Sequence, residues 1–381
     1  MGLSKKAKII ITSAVCVTVV VAVILCAVIL SSNKRTVMKY GSYRVTEDMY
    51  EFWMSEYKRD ILKSFKGAKD TDEFWDSISA SGKTHEQYFT DMIDYYIMQK
   101  LVASAVFDSQ GYTLSNEARQ EIADTLAETC ESVAKGDEDK FNEIAGQYGI
   151  DYDGYKNLLI YDYRWIYLWS IMYGSGTTGL STTELDEFYN ETYDRVKIVV
   201  IYTERDFKRD TDASPLLDKN GQYQWEKYTP DEKAEKLALI ERMKGEIASG
   251  SMTEEKFTSY WENENRDITS GKYQDGYYMS KYSVYDSEVI KISAELPVGE
   301  IGVVELDDEN GSVMFIKRYE NKPHAYADAL YSKSEWFDNF YSRATEHFYA
   351  KMLDSYTSGI EIDYEVKSQI KLRDVKTNKD F

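Results

Sequence analysis

The sequence has few of the residues that proteins use for covalent cross-links, metal binding and stiff linkers. Among 381 residues there are three cysteines, three histidines and four prolines. Cys16 and Cys26 lie in an apolar N-terminal segment, so Cys130 has no partner in the rest of the chain for an internal disulfide. A disulfide scaffold, a cysteine-rich metal site and proline-rich linkers are therefore excluded.

Several motifs of catalysis and cofactor binding are missing as well. The sequence has no P-loop and no Gly-x-Gly-x-x-Gly motif that follows a predicted strand and opens a helix, and no histidine, cysteine and glutamate residues have metal-ligand spacing. His85 and Glu86 form an isolated pair, which is typical of a solvated surface. We therefore expect no cofactor and no metal ion.

Basic charge is scarce outside the N-terminus. Residues 1–39 hold six basic residues and no acidic one, whereas residues 40–381 hold 40 basic and 66 acidic residues, a net charge of −26. Such a body repels nucleic-acid phosphates, so nucleic acid is excluded as a partner. The simplest interpretation is that the negative charge keeps an exported protein soluble. The scarcity of cysteine would fit the envelope of a Gram-positive bacterium.

A long apolar run is the first feature that the sequence does contain. Residues 9–30 are 22 consecutive residues without a charge, and a helix of that length rises about 33 Å, enough to cross a bilayer. The length favours an uncleaved single-pass anchor, although Ser31–Asn33 leaves cleavage open. We expect residues 1–8 to be a cytoplasmic tail and the acidic body to lie on the extracytoplasmic side of the cell membrane.

Between residues 40 and 174 the apolar pattern is helical. Thr46 is the expected N-cap of a helix with Phe52 and Trp53 on its apolar face. The last helical pattern carries a stripe of six aromatic residues, which is typical of core or helix–helix contacts, with a polypeptide-binding surface as the alternative. The further helices are predicted over Glu86–Asp108, Ser115–Lys135, Asp137–Tyr148 and Tyr152–Tyr173.

The pattern changes after the glycine-rich linker Gly174–Gly179. Ser181–Glu184 is a capping box that opens a helix, and the β-branched run Val196–Tyr202 predicts a strand. Asn310 and Gly311 between two strand-like runs predict a hairpin, so the fold class is α+β with an antiparallel sheet. The remaining elements are a polar loop or insertion at Asp206–Tyr228, helices at Asp231–Ser249 and Thr253–Asn263, hairpin strands at Glu300–Leu306 and Ser312–Tyr319, a long helix from Pro323 to about Tyr356, and a strand-like Ile360–Val366.

Five segments of this second half resemble, in order, parvulin-type (PpiC) peptidyl-prolyl isomerases. The first resembles the entry from a helix into the first strand of that domain, and the second is similar to its first long helix. The third is similar to the family's glycine-rich turn, the fourth to its "LKPGEIS" sequence and the fifth to its closing strand. The five segments are Leu180–Tyr202, Glu232–Gly250, Gln274–Ser280, Leu296–Gly302 and Ser312–Tyr319.

Upstream, Tyr43–Trp53 resembles the start of the helical chaperone domain of SurA-like and PrsA-like extracytoplasmic foldases. In those proteins a C-terminal helix returns to the helical domain. The resemblance implies a helical chaperone domain at 40–174, a parvulin-like domain at 181–322, a C-terminal helix of the chaperone domain at 323–360 and a tail at 361–381, after the tail at 1–8 and the anchor at 9–30.

The resemblance breaks at the active site. The family usually carries one histidine in the first strand and one in the last, and these positions fall at Ile198 and Met314. The histidines of this chain are His85, His324 and His347, none of which lies on a matching strand. Rotation about a prolyl bond breaks no covalent bond but needs a polar network around the twisted amide. We therefore expect no catalytic residue in place and little or no isomerase activity.

The resemblance also implies an apolar groove that binds unfolded or newly exported polypeptides, and methionine suits such promiscuous recognition. Three functions stay open: a weakly catalytic or non-catalytic chaperone, an active isomerase with a rearranged site, and a scaffold protein of the envelope. Asp267 is the nearest candidate for the family's acidic or cysteine group and fits a solvated loop residue equally well. The groove is expected to contain Ile198, Tyr278, Met279, Met314 and Phe315.

Overall fold

The computed structural model describes residues 34–65, 67–174, 179–211, 215–265, 273, 275–328 and 330–381. The expected anchor at 9–30, the tail at 1–8, Asp267 and the middle of the linker lie outside these residues. No helix of the described residues is long and apolar enough to cross a membrane. The chain divides into two compact units: unit 2 is Leu180–Ala344, and unit 1 takes the residues up to Gly179 and from Thr345 onward.

Unit 1 combines a helical core with a small antiparallel sheet. The elements are β1 (Thr36–Tyr40), β2 (Tyr43–Thr46), α1 (Glu47–Ser64), α2 (Asp72–Asp76), α3 (His85–Ser109), α4 (Asn116–Ala134), α5 (Glu138–Ala145), α6 (Tyr152–Tyr173), the C-terminal part of α11 (Glu335–Thr357), β9 (Glu361–Ile362) and α12 (Tyr364–Lys367). The sheet has the strand order β2-β1-β9, and residue Met38 of β1 pairs with Ile362 of β9. Strand β9, near the C-terminus, thus adds a third strand to the sheet that β1 and β2 form.

The predicted helices of unit 1 are confirmed, with two local corrections. Thr46 precedes α1 as expected, but its side chain makes no capping hydrogen bond. Glu47 and Asp48 in the first turn of α1 interact favourably with the helix dipole instead. The helix predicted to reach Tyr148 ends its α-helical part at Ala145 and continues as one turn of 3-10 helix.

The C-terminal segment of the chain belongs to the core of unit 1. The sequence predicts a polar tail at residues 361–381, whereas in the structure Leu372 and Val375 of this segment are buried. Lys58 of α1 is also buried, and its Nζ donates to the carbonyls of Arg373 and Val375 at 2.8 Å each. Its charge is paired with Asp70 at 2.9 Å. A buried lysine therefore satisfies the backbone of this segment, which explains how a polar sequence packs inside.

A second apolar cluster of unit 1 joins α3, α6 and the C-terminal half of α11. It contains Phe107, Leu168, Tyr349 and Leu353, and part of the aromatic stripe of α6 packs against it. The Tyr349 hydroxyl donates to the carbonyl of Trp165 at 2.6 Å. The end of the long helix thus packs on helices that precede Gly174 in the sequence.

Unit 2 is an antiparallel sheet covered by helices, which confirms the α+β fold class. The elements are α7 (Thr182–Thr192), β3 (Asp194–Tyr202), β4 (Arg205–Phe207), β5 (Trp225–Lys227), α8 (Pro230–Ala248), α9 (Glu254–Asn265), β6 (Tyr277–Met279), α10 (Ser287–Glu295), β7 (Ile301–Glu305), β8 (Ser312–Tyr319) and the start of α11. Its sheet has the strand order β6-β3-β8-β7, and every neighbouring pair is antiparallel.

The predicted hairpin and capping box are both confirmed. Strands β7 and β8 pair from Ile301 opposite Lys317 to Glu305 opposite Val313. In the turn between them Gly311 has a φ of +59°, and a Cβ atom there would lie 2.2 Å from the Thr203 hydroxyl oxygen. Only glycine therefore fits this turn. The capping box at the start of α7 has both of its hydrogen bonds.

Two expectations for unit 2 and one for unit 1 need correction. The polar segment Asp206–Tyr228 is not only a loop, because β4 and β5 form a short antiparallel hairpin from it. Three-residue strands are too short for a period to show in the sequence. The long helix begins at Glu335 rather than Pro323, because His324 has a φ of +54°, which a helix cannot contain. The strand-like Ile360–Val366 is divided between β9 and α12.

Candidate functional site

The central strands of unit 2 present two different faces, because successive side chains of a strand point to opposite sides. Val199, Ile201 and Phe315 pack against α8 and α9 on one side. Ile198 and Ile316 pack against α10 on the other side. We call these the α8–α9 face and the α10 face.

The register of β3 and β8 places Ile198 and Met314 on the α10 face. Ile198 lies opposite Ile316, and Val200 lies opposite Met314, so Ile198 and Met314 are diagonal neighbours, about 7–8 Å apart by the geometry of antiparallel pairs. Their environments differ. Ile198 is 1% exposed, whereas Met314 is only partly buried.

The five residues expected to form the groove are therefore not in one place. Ile198, Met279 and Met314 share the α10 face, but the first two are buried. Phe315 is fully buried on the α8–α9 face. Tyr278 packs among aromatic rings, including Tyr189 and Tyr331. Neighbouring residues of a strand point to opposite faces of the sheet. Tyr278 and Met279 therefore cannot both line one groove, and the same holds for Met314 and Phe315.

Met314 instead belongs to a partly exposed apolar surface at one end of the α10 face. It consists of half-buried side chains that pack on the edge of the buried cluster, and we call it the apolar patch. Two come from the neighbouring strands β3 and β8, one directly follows β7, one comes from β6 and one from α10. The residues of the patch are Val200, Tyr277, Ile290, Leu306 and Met314.

Four of these five residues were not predicted from the sequence. Val200 lies two positions after Ile198 and could have been found from the period of a strand. Tyr277, Ile290 and Leu306 come from separate elements. Their proximity follows from the packing of α10 and the pairing of β6, which no local pattern encodes.

Close packing at Gly302 of β7 positions α10 over the sheet. A Cβ atom at residue 302 would lie 2.7 Å from Cγ2 of Ile292 on α10. Asp286 caps the start of the same helix by accepting a hydrogen bond from the Glu288 amide at 2.8 Å. The buried end of the α10 face is further tied to α10 by Arg318, which donates to the carbonyls of Ala294 and Leu296.

Tyr277 of the apolar patch forms a pair with Tyr285, which lies outside the patch. The rings of Tyr277 and Tyr285 are stacked, with centroids 6.1 Å apart, and the Tyr285 hydroxyl donates to that of Tyr277 at 3.2 Å. Burial raises the pKa of both hydroxyls above the ordinary value. Both side chains therefore stay neutral and offer polar tips on an apolar body.

An aromatic cluster stands at the end of β3, on the same face as Val200. The ring of Tyr202 contacts Phe207 and Trp225 of the β4–β5 hairpin at centroid distances of 5.7 and 5.3 Å. Tyr223 packs on Phe207 and remains 46% exposed. The hairpin that the sequence did not predict thus extends the aromatic surface near the patch.

The described residues around the patch include no histidine. His324 of unit 2 is bound to Asp186 at 2.7 Å, where Tyr326 also donates to that carboxylate. His85 lies on α3 and His347 on α11. Within the described part of the chain no group of three metal-ligating side chains is positioned to hold a metal ion. The side chains of the patch are apolar, apart from the hydroxyl of Tyr277.

Unit 1 contains a more polar cleft, of about 600 Å³, beside the start of α1. Lys34 on its wall pairs with Asp48 at 2.5 Å and with Asp151 at 3.2 Å. These ion pairs neutralise part of the charge that lines the cleft, which also includes Arg44 and Asp153. It therefore suits an apolar ligand less well than the patch of unit 2 does.

No protein-family model matches the chain, and no curated protein sequence matches it. Among solved structures the chain is similar to PrsA from Bacillus subtilis, at 17% identity and a TM-score of 0.20, over 78% of this chain and 93% of that one. It is similar to foldase protein PrsA from Streptococcus pneumoniae, at 11% identity and a TM-score of 0.22, over 78% and 99%. Foldase protein PrsA from Lactococcus lactis matches at 8% identity and a TM-score of 0.20, over 88% and 99%. Scores of this size do not establish a shared fold, so the residues of the chain itself must carry any functional conclusion.

Proposed function

We propose that this protein is a membrane-anchored extracytoplasmic foldase that holds unfolded exported polypeptides and has little or no prolyl isomerase activity. The observation that carries the proposal is the apolar patch. It lies on the α10 face, which also carries Ile198 and Met314, the two positions where the parvulin resemblance implies histidines, and of these two only Met314 belongs to the patch.

An exposed apolar surface of this kind favours binding over chemistry. Burying apolar area yields roughly 25 cal/mol per Å² and needs no particular sequence in the bound polypeptide. The side chain of Met314 is unbranched and flexible, so it can adapt to different apolar residues. The neutral hydroxyls of Tyr277 and Tyr285 can hydrogen-bond to an extended backbone at the border of the patch.

The same residues argue against catalysis. A side chain that stabilises a twisted amide must donate or accept a hydrogen bond, and loss of such a group commonly lowers the rate by a factor of about 10² or more. The side chain of Ile198 is a hydrocarbon, so it has no group that donates or accepts a hydrogen bond. It is also buried against α10, so it cannot contact a bound polypeptide. Met314 reaches the surface but offers only a weakly accepting thioether.

The proposed location rests on the composition of the chain. The uncharged run at residues 9–30 has the length of a transmembrane helix, and the strongly acidic remainder suits a soluble body outside the cytoplasm. Retention in the membrane would keep the apolar patch close to polypeptides as they leave the membrane.

The test is a pair of assays on a purified body of residues 34–381. We expect it to suppress aggregation of an unfolded reporter protein and to leave the isomerisation rate of a prolyl peptide nearly unchanged. Met314→Asp should impair suppression, because it places a charge in the apolar patch.

The matched control is Leu237→Asp, which adds the same charge at a 45% exposed residue of α8. It should leave suppression intact. Equal loss in both variants would contradict a role for the patch. Isomerase turnover comparable to that of a histidine-containing parvulin would replace the non-catalytic chaperone by an active isomerase, and a body that neither suppresses aggregation nor isomerises would favour a scaffold.

A further inference from the structure

Acidic side chains surround the exposed end of the apolar patch. Asp286 and Glu288 stand at the start of α10, directly after Tyr285 of the tyrosine pair. Asp307 and Asp308 follow Leu306, a residue of the patch. All four acidic residues are exposed. The patch is thus an apolar surface bordered by negative charge on two sides.

Among the residues that the structure describes, most of this charge has no ion-pair partner. Glu305 and Glu309 on either side of the turn are paired with Lys244 and Arg205. In the described part of the chain, no lysine, arginine or histidine forms an ion pair with Asp286, Asp307 or Asp308. Helix α10 also carries Lys291, three residues beyond Glu288, and a further carboxylate, Glu295, at its last position.

The carboxyl group of Asp308 is held in its charged form. Burial raises its pKa, but hydrogen bonds from the Ser312 hydroxyl and amide and from the Asn310 amide outweigh this effect and lower the pKa below the ordinary value. Burial, followed by the negative charges of Asp206 and Asp308, raises the pKa of Tyr202 to about 12. The field of these carboxylates therefore reaches the α10 face at the end of β3.

Aromatic rings at the same end add to the attraction for cations. The faces of tyrosine and tryptophan rings carry partial negative charge and attract ammonium and guanidinium groups. Tyr223 and Tyr285 are 46% and 38% exposed and can offer their rings to a bound chain. In Trp225 this interaction is already made within the protein, with the Arg205 guanidinium 4.6 Å from the ring centroid.

We propose that the apolar patch selects polypeptide segments in which apolar residues are flanked by lysine or arginine. This inference rests on the proposed function and names its substrate class. The apolar part of such a segment covers Val200, Leu306 and Met314, while the flanking cations meet the carboxylates of Asp286 and Asp307. Acidic segments with the same apolar residues are repelled, which gives selection by both attraction and repulsion.

The experiment measures binding of three fluorescent peptides to the purified body by anisotropy at low ionic strength. The peptides share one apolar core and carry lysine, glutamine or glutamate at the flanking positions. We expect the lysine peptide to bind about threefold to tenfold more tightly than the glutamine peptide, because each exposed ion pair adds only a small favourable contribution. The glutamate peptide should bind most weakly, and high salt should reduce the differences.

Two double variants separate the patch from the overall charge of the protein. Asp286→Asn with Asp307→Asn should remove most of the preference for lysine without unfolding the protein, since asparagine also caps helices well. Asp139→Asn with Glu143→Gln changes the net charge equally on exposed positions of α5 in unit 1 and should leave the preference unchanged.

The possible results keep the two proposals apart. Binding of all three peptides with equal affinity would overturn the selectivity and leave the chaperone function standing. Equal loss of the preference in both double variants would also overturn it, because long-range charge would then be the cause. If none of the three peptides bound, the chaperone function itself would be refuted.

Discussion

Val200 on β3 and Met314 on β8 lie opposite each other in the sheet of unit 2, and both are half-buried at the end of the face that α10 leaves open. One step along the same face, Ile198 and Ile316 form the next pair and are buried. On the α10 face, burial of the paired side chains in β3 and β8 therefore decreases from the Ile198–Ile316 pair to the adjacent Val200–Met314 pair.

This decrease in burial predicts opposite outcomes for two histidine substitutions. Ile198→His should destabilise the body by about 2 kcal/mol or more, because it buries an imidazole without a partner and changes the packing under α10. Met314→His should cost less than about 1 kcal/mol at its half-buried position. Urea unfolding of both variants measures the difference, and equal destabilisation would contradict the burial of residue 198.

A glycine pair tests how α10 is held over the sheet. Gly302→Ala should destabilise the protein by about 1–3 kcal/mol and weaken peptide binding, because its Cβ would meet Ile292 at 2.7 Å. Gly245→Ala in α8 is the matched control, since its Cβ would have no atom within 4 Å. The control should stabilise by up to about 1 kcal/mol, as alanine is the better helix former. A neutral Gly302→Ala would show that α10 can move without loss.

The C-terminal segment should depend on the buried lysine of α1. Lys58→Met leaves the carbonyls of Arg373 and Val375 without a donor and Asp70 without its counter-charge, so we expect a loss of about 3–5 kcal/mol. Lys63→Met on the exposed side of the same helix should change stability by less than about 0.5 kcal/mol. Chemical denaturation, together with protease sensitivity of residues 361–381, measures both effects. Tight retention of the segment in Lys58→Met would refute this role.

Unit 1 should become less stable as the pH rises from about 4.5 to 7 through the titration of Glu56. Burial raises the pKa of Glu56 to about 7, against the opposing charges of Arg59 and Lys100. In this interval the unfolded chain has released the proton and the folded chain still binds it, so increasing pH favours unfolding. Glu56→Gln should therefore raise the melting temperature at pH 8 relative to the unchanged protein and have little effect at pH 4.5.

The control for this titration is Glu128→Gln at an exposed position of α4. It should leave the difference in melting temperature between pH 4.5 and pH 8 as it is in the unchanged protein. If Glu56→Gln behaved in the same way as this control, the carboxyl group of Glu56 would not be the source of the pH dependence.

The proposed anchor makes a simple cellular prediction. The full chain should remain in the membrane fraction, and protease added outside the cell should digest the body after residue 40, because a 22-residue apolar helix spans the bilayer. Replacing residues 9–30 by a cleavable signal peptide should release a folded body. Spontaneous release of the natural protein with a new N-terminus near Ser31 would identify the run as a signal peptide.

Local patterns in the sequence were sufficient for most elements of secondary structure. The helix Tyr152–Tyr173, the capping box at Ser181 and the hairpin around Gly311 each depend on residues that are close in the chain. Helical periodicity, side-chain caps and left-handed turn positions act over a few residues, so they can be recognised without the fold. The short strands β4 and β5 were missed because three residues show no period.

The sequence by itself determined the α+β class, the acidic body and the absence of histidine from the matching strands, because these depend on composition and local spacing. Only the tertiary structure decided that Met314 is accessible and Ile198 is not, and that Leu372 is buried. The physical reason is that burial depends on partners distant in the chain. Ile198 and Ile316 are buried against α10, whereas Val200 and Met314 are only half-buried, and Lys58 donates to the backbone of a segment more than 300 residues away.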